Sequence, residues 1–209
     1  MNTAPTNPST LSRLRALSPP VRLSRDDARV IAERQANKLI ELLEITDGVQ
    51  ESHIAGLPRV RIIREPLPTS GLSYWNGIEW IIVLNETESP VRQRFSLLHE
   101  YKHIIDHGSQ TRLYASEQDA ERAADYFAAC ALMPKRDLKR VYCTITQKAD
   151  ALAAYFGVSA SALCIRLEQT GLTEPFTFTR TPRCARPIKT PWQRSQRFRP
   201  AASPHRSFA

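Results

Sequence analysis

Apolar residues recur first at positions 28, 31, 32, 36, 39, 40 and 43. That is helical spacing, and it predicts a helix over "SRDDARVIAERQANKLIELLEI", residues 24–45. Ser24 suits its N-cap, and Asp26 and Asp27 sit in the first turn, where the helix dipole favours negative charge. "RVRIIRE" (59–65) alternates as a strand does. "GLSYWNGIEWIIVLNE" (71–86) reads as a hairpin in which Asn76-Gly77 supplies the positive φ of a type I′ turn, with "WIIVLN" a buried strand. A helical period returns over "SPVRQRFSLLHEYKHIIDHG" (89–108), with Ser89 as cap, Pro90 at the first helical position and Gly108 as the stop. "SEQDAERAADYFAACALMP" (116–134) predicts another helix, closed by Pro134, and "PKRDLKRVYC" (134–143) one more. "TQKADALAAYFGVSASALCIRLEQTGL" (146–172) reads as two short helices around Gly157-Val158-Ser159, the spacing of a helix-turn-helix. The expected class is α+β: helices packed on a small, mostly antiparallel sheet, followed by a small helix-turn-helix-like segment.

Composition changes this picture only at the ends. Of the 209 residues, 42% are apolar, enough for a real core, and no apolar run approaches the ~18 residues of a membrane span. Residues 1–22 are rich in Pro, Ser and Thr and lack an apolar signal core, so a disordered basic arm is expected there. Residues 179–209 carry five prolines and no period, which predicts a solvated Pro/Arg-rich tail. The net charge of +8 belongs to these ends, since residues 26–179 hold 17 basic and 21 acidic side chains. A basic face on the folded body, the usual footprint of a nucleic-acid reader, is therefore not implied. The body divides into a main domain over 23–138 and the helix-turn-helix-like segment over 139–178. The cysteines, Cys130, Cys143, Cys164 and Cys184, form no C-x-x-C pair, and reduced buried thiols in a cytoplasmic protein are expected.

The chemistry concentrates in "HEYKH". Residues four apart on an α-helix nearly eclipse, so His99 and His103 project from one face about one turn apart and can share one metal ion. Glu100 is rotated about 100° from His99, does not ligate, and can instead reach a water on the metal. This is the H-E-x-x-H arrangement of zinc hydrolases. The helix is apolar on most sides, and ionisable groups on a buried helix cost several kcal/mol unless something compensates them. The alternative is a helix exposed along the stripe Arg92, Ser96, His99, His103 and His107. A catalytic zinc takes three protein ligands. In "ERAADYF", Glu121 fits the third ligand and Asp125, four residues on, fits a group that orients a ligand histidine. Glu117, one turn earlier, is the rival ligand.

The succession "RQRFSLLHEYKHIIDH", "ERAADYFAACALMP", "LAAYFGVSASALCIRL" resembles the ImmA/IrrE family of metallo-endopeptidases over residues 25–172. The resemblance implies zincin-like helices on the small sheet, a zinc peptidase domain over 23–138, Zn2+ held by His99, His103 and Glu121, and Glu100 as general base. His107 stands where the family often has histidine. Asp125 departs from the usual asparagine, and Tyr101-Lys102 from the usual small residue before the second histidine, so that Lys102 is expected to narrow the site or to face solvent. His107 and Tyr114 are the candidates for a further group stabilising the transition state. The resemblance also implies a substrate class, helix-turn-helix transcriptional repressors or antitoxin-like partners. The alternative is a non-catalytic regulator of the same fold that binds a repressor or DNA, although the helix over 160–170 offers only Arg166 and Gln169 as DNA contacts. The strand "IEWIIVLN" would suit β-augmentation by an extended substrate if it lay at a sheet edge.

Overall fold

A computed structural model describes residues 8–46 and 48–173. Its elements run α1 (Thr10–Arg15), α2 (Arg25–Leu42), α3 (Glu51–Ala55), β1 (Val60–Glu65), β2 (Gly71–Trp75), β3 (Trp80–Asn85), α4 (Pro90–Asp106), α5 (Gln110–Leu113), α6 (Glu117–Leu132), α7 (Lys135–Thr144), α8 (Ala149–Phe156) and α9 (Ala160–Thr170). The α+β class is as expected. The caps expected at Ser24 and Ser89 hold, Ser24 accepting from the Asp27 N–H and Ser89 from Arg92, and the structure adds Ser116, accepting from Asp119, and Ser159, accepting from Ala162. Each closes an orphan donor of a first turn.

The sheet is mixed, in the order β1-β3-β2. β2 pairs antiparallel with β3, whereas β1 pairs parallel with it. All six residues of β3 are buried, as a central strand requires, so "WIIVLN" is not an edge. The edge that remains beside α4 is β2. The hairpin differs from a two-residue type I′ turn. Trp75 pairs with Trp80, leaving a four-residue loop in which Gly77 has φ +100° and Asn76 does not enter the left-handed region. Asn76 acts instead through its side chain, whose Oδ1 accepts from the N–H groups of Ile78 and Glu79.

Helix α4 packs against the sheet and against α6, and α6 packs in turn on α2. Leu97, Leu98, Tyr101, Ile104 and Ile105 of α4 and Phe127 of α6 lie in one continuous core. That core also takes in Leu152, Phe156, Leu163 and Leu167 of α8 and α9. The expected arm over 1–22 is not all disordered. It contains α1, capped by Ser9 and anchored by the fully buried Leu14, with the Arg15 guanidinium donating to the carbonyls of Ile104 and Ile105. Leu11, Leu14 and Leu17 recur at steps of three, a helical signal spanning fewer than two turns and set among prolines, too short to stand out from the Pro-rich stretch around it. The tail over 179–209 lies outside the described residues.

α8 and α9 meet at 99°, a helix-turn-helix angle, around Gly157 at φ +58°. The left-handed backbone there favours glycine, and a Cβ would come within 2.7 Å of Arg94 Nη1 and make that guanidinium shift. Arg94 of α4 donates to the Phe156 carbonyl at 2.7 Å. Arg166 of α9 is buried; it donates to the Met133 carbonyl and to Glu33 Oε1 of α2 and lies 5.4 Å from the Tyr126 ring centroid. Its charge is therefore used inside the molecule and not on a recognition surface. Cys130 is a buried free thiol, its pKa pushed up to about 12 by burial. Cys143 is free but exposed and Cys164 is disulfide-bonded, both departures from the expected set of buried reduced thiols. Cys184 lies outside the described residues.

Replacing Arg166 by Met leaves the Met133 carbonyl without its donor. A loss of about 1–3 kcal/mol in urea denaturation is expected, with faster amide exchange in α9 than in β3.

Candidate metal centre

The i,i+4 spacing on α4 brings His99 Nε2 and His103 Nε2 to 3.0 Å from each other. α6 lies across them and supplies Glu121. Its Oε2 stands 3.1 Å from His99 Nε2, and its Oε1 3.2 Å from His103 Nε2. One ligand atom from each of the three residues lies within 4.8 Å of the others. Glu117, at the first position of α6, is not part of this group. One turn beyond Glu121, Asp125 Oδ1 lies 2.9 Å from His99 Nδ1. That contact assigns the proton of His99 to Nδ1 and leaves the Nε2 lone pair directed at Glu121 and His103. The donor chemistry fits a divalent cation: two imidazole nitrogens and a carboxylate, all acceptors, would repel one another at these distances unless a cation or proton lies between them. Burial works against the charged form of His99. The hydrogen bond and charge of Asp125, with the charges of Glu121 and Glu100, outweigh it, so the net shift of its pKa is upward.

These side chains open on a cleft of about 680 Å³ whose walls include Gly71 and Ser73 of β2, Trp80, and Glu100. Glu100 is 9% exposed. Ser73 Oγ donates to its Oε2 at 2.9 Å, which fixes the carboxylate at the wall of the cleft. Gly71 makes room for it, since a Cβ there would lie 3.3 Å from Glu100 Cγ and 3.1 Å from the Val83 carbonyl oxygen. Sequence reasoning missed both β2 residues. A glycine opening a strand is a mild signal of close backbone approach, but nothing local connects it to a helix nearly thirty residues on.

His107 follows the last residue of α4 as its C-cap and does not continue the helical stripe. It still lines the cleft, its ring edge-on to Trp80 with centroids 4.8 Å apart. Tyr114 is not brought to the cleft. Its hydroxyl donates to Asp106 Oδ2 at 2.7 Å and accepts from Lys102 Nζ, which also pairs with Asp106. Burial, with the nearby Asp106 charge, raises its pKa, so it serves a buried network and not the reacting centre. Lys102 neither narrows the site nor reaches solvent, being 1% exposed. Burial pulls its pKa down, and Asp106 partly restores it. An i,i+4 partner of opposite charge was the available sign that Lys102 could turn inward.

A model of the Peptidase M78 family, described as the IrrE N-terminal-like domain, matches residues 58–168, more than half of the chain. The chain belongs to this family. The match to the IrrE-like domain runs from just before β1 almost to the end of α9, so it contains the cleft, the histidine pair and Glu121. Among solved structures, the chain is similar to a Mycobacterium tuberculosis transcriptional regulator, with a TM-score of 0.52 and 17% identity. The likeness covers 77% of this chain and 52% of that one, so this chain spans about half the regulator's length, and at that identity it is a likeness of fold. No curated protein compared matches the chain significantly.

Asp125→Ala is expected to weaken Zn2+ affinity roughly 10–100-fold while Asp125→Asn costs less, because only the former loses the acceptor for His99 Nδ1. Competition with a chromophoric chelator measures both; equal affinities for wild type and Asp125→Ala would remove Asp125 from the site.

Proposed function

We propose that this IrrE-like chain is a zinc-dependent endopeptidase whose substrate is a protein, of the helix-turn-helix repressor or antitoxin-like class. One observation carries the reading: His99, His103 and Glu121 converge on a single point at the wall of a cleft that also holds the carboxylate of Glu100. His99, His103 and Glu121 would hold the cation. When bound, zinc supplies Lewis acidity and lowers the pKa of water toward about 7.

The chain's own residues supply the rest. Glu100 accepts a proton from the attacking water and returns it to the leaving amine, a role typically worth about 10²–10⁴-fold. Ser73 holds one oxygen of Glu100, which leaves the other to face the reacting atoms. Asp125 keeps the proton of His99 on Nδ1 through both stages. His107, the C-cap of α4 and part of the cleft lining, would donate to developing negative charge, and Tyr114, held by Asp106 and Lys102, would not. The free edge of β2 supports a peptide as substrate, since an extended chain can pair with an edge strand. The substrate class rests on the family and not on the cleft.

The reading of α8 and α9 as a DNA reader gains little support. Arg166 is buried, and it is the one Lys or Arg in α9. No single helix among the described residues is long and apolar enough to cross a membrane.

Purified chain incubated with a small helix-turn-helix protein encoded beside it should cleave it, and chelation should stop cleavage. Glu100→Gln should retain metal yet lose at least about a hundredfold in rate. Equal cleavage by wild type and Glu100→Gln would refute the mechanism. Full metal content with no cleavage by wild type would favour a regulator that binds without cutting.

A further inference from the structure

A second cavity, of about 960 Å³, lies next to the metal cleft. Arg92, Phe95 and Asp125 line both, so the two adjoin across a shared wall. Its floor and sides are mostly apolar: Val91 and Phe95 of α4, Tyr126 and Ala129 of α6, Ala162 and Ile165 of α9. Two of these are large side chains left open to water, Val91 at 37% and Ile165 at 52% exposure. Apolar side chains facing each other across a groove are a cost in the free protein that a partner's apolar side chains would remove. Gln169 of α9 also lines the groove, and its Oε1 is buried with no hydrogen-bond partner among the described residues. A buried acceptor without a donor is costly and would be satisfied by an N–H of an incoming chain.

We propose that this groove binds the substrate on one side of the scissile bond, taking an apolar peptide segment whose large aliphatic or aromatic side chains seat between α4 and α9. The inference rests on the peptidase reading and extends it to specificity. The shared wall of Arg92, Phe95 and Asp125 selects the occupant, because a peptide that lies in the cleft beside Glu121 has only this wall to cross to reach the groove. Asp125 then stands at the junction, with one carboxylate oxygen on His99 and its outer side facing the groove. The volume suits a few side chains and not a folded domain. In this arrangement the helix-turn-helix-like pair acts as one wall of a substrate channel, which explains why its exposed apolar residue Ile165 faces the groove while its cation, Arg166, is turned inward.

The test uses the full chain and an array of 15-residue peptides, half with Leu, Ile, Phe or Met at paired positions and half with Ser or Gln there. Retention reports the groove, and cleavage of the same peptides in solution reports the peptidase reading. Ile165→Asp and Val91→Asp both place a charge in the groove. Both sites are partly exposed, and an acid at Val91 sits in a helix first turn, so both variants are expected to fold. Wild type and Ile165→Leu should retain the apolar peptides, and each Asp variant should lose roughly tenfold or more in retention. Retention that ignores apolar content, that both Asp variants keep, or that is absent in wild type overturns the inference, even if cleavage occurs. A dimer of the wild type that Ile165→Asp dissolves would assign the groove to a second copy and also overturn it. Retention that behaves as expected with no peptide cleaved would leave the groove standing as a binding site and defeat the peptidase reading alone.

Discussion

Two imidazoles one helical turn apart define a point in space only if the helix that carries them cannot roll. α4 is held against rolling on both sides. Leu97, Leu98, Tyr101, Ile104 and Ile105 are buried in the core, and the sheet and α6 flank it. The opposing carboxylate must then come from a helix that approaches closely. α6 is rich in small buried residues: Ala124 and Ala128 lie on the side of the helix that carries Glu121, while Ala120 and Ala123 pack with Ala28 of α2. Ser73 and Gly71 apply the same control to Glu100 from the sheet side.

Much of this was legible in the residues because it is local. The caps at Ser24 and Ser89 and the histidine pair each lie within one or two turns of chain. Glu121 with Asp125 is likewise an i,i+4 pair on one helix. What the sequence could not disclose depends on distant partners. The parallel pairing of β1 with β3 skips over β2, and nothing in "RVRIIRE" states which strand it will join. The loop after Trp75 was misread because Asn76 uses its side chain, not its backbone, to turn the chain. Tyr114 and Lys102 differ in kind, for their partner Asp106 is near in the chain, but that all three turn inward depends on the packing around them.

The segment with helix-turn-helix spacing shows the limit most clearly. Its angle and turn match the motif, yet spacing describes only backbone geometry. Function depends on which faces remain free, and here Arg166 turns one face of α9 inward, toward Glu33 of α2 and Tyr126 of α6. Arg94 of α4 clasps the α8–α9 corner at the Phe156 carbonyl. A helix pair fastened to the same helix that carries His99 and His103 is in a position to shape what enters the cleft.

The inward Arg166 has an evolutionary consequence. It touches Glu33 and Tyr126, residues 133 and 40 positions away in the chain, so this corner cannot be exchanged between proteins as a self-contained cassette. Recombination at the α7–α8 junction would strand an anion on α2 and an aromatic face on α6 without their shared cation. Descendants of such an ancestor would inherit the three elements together or rebuild all three.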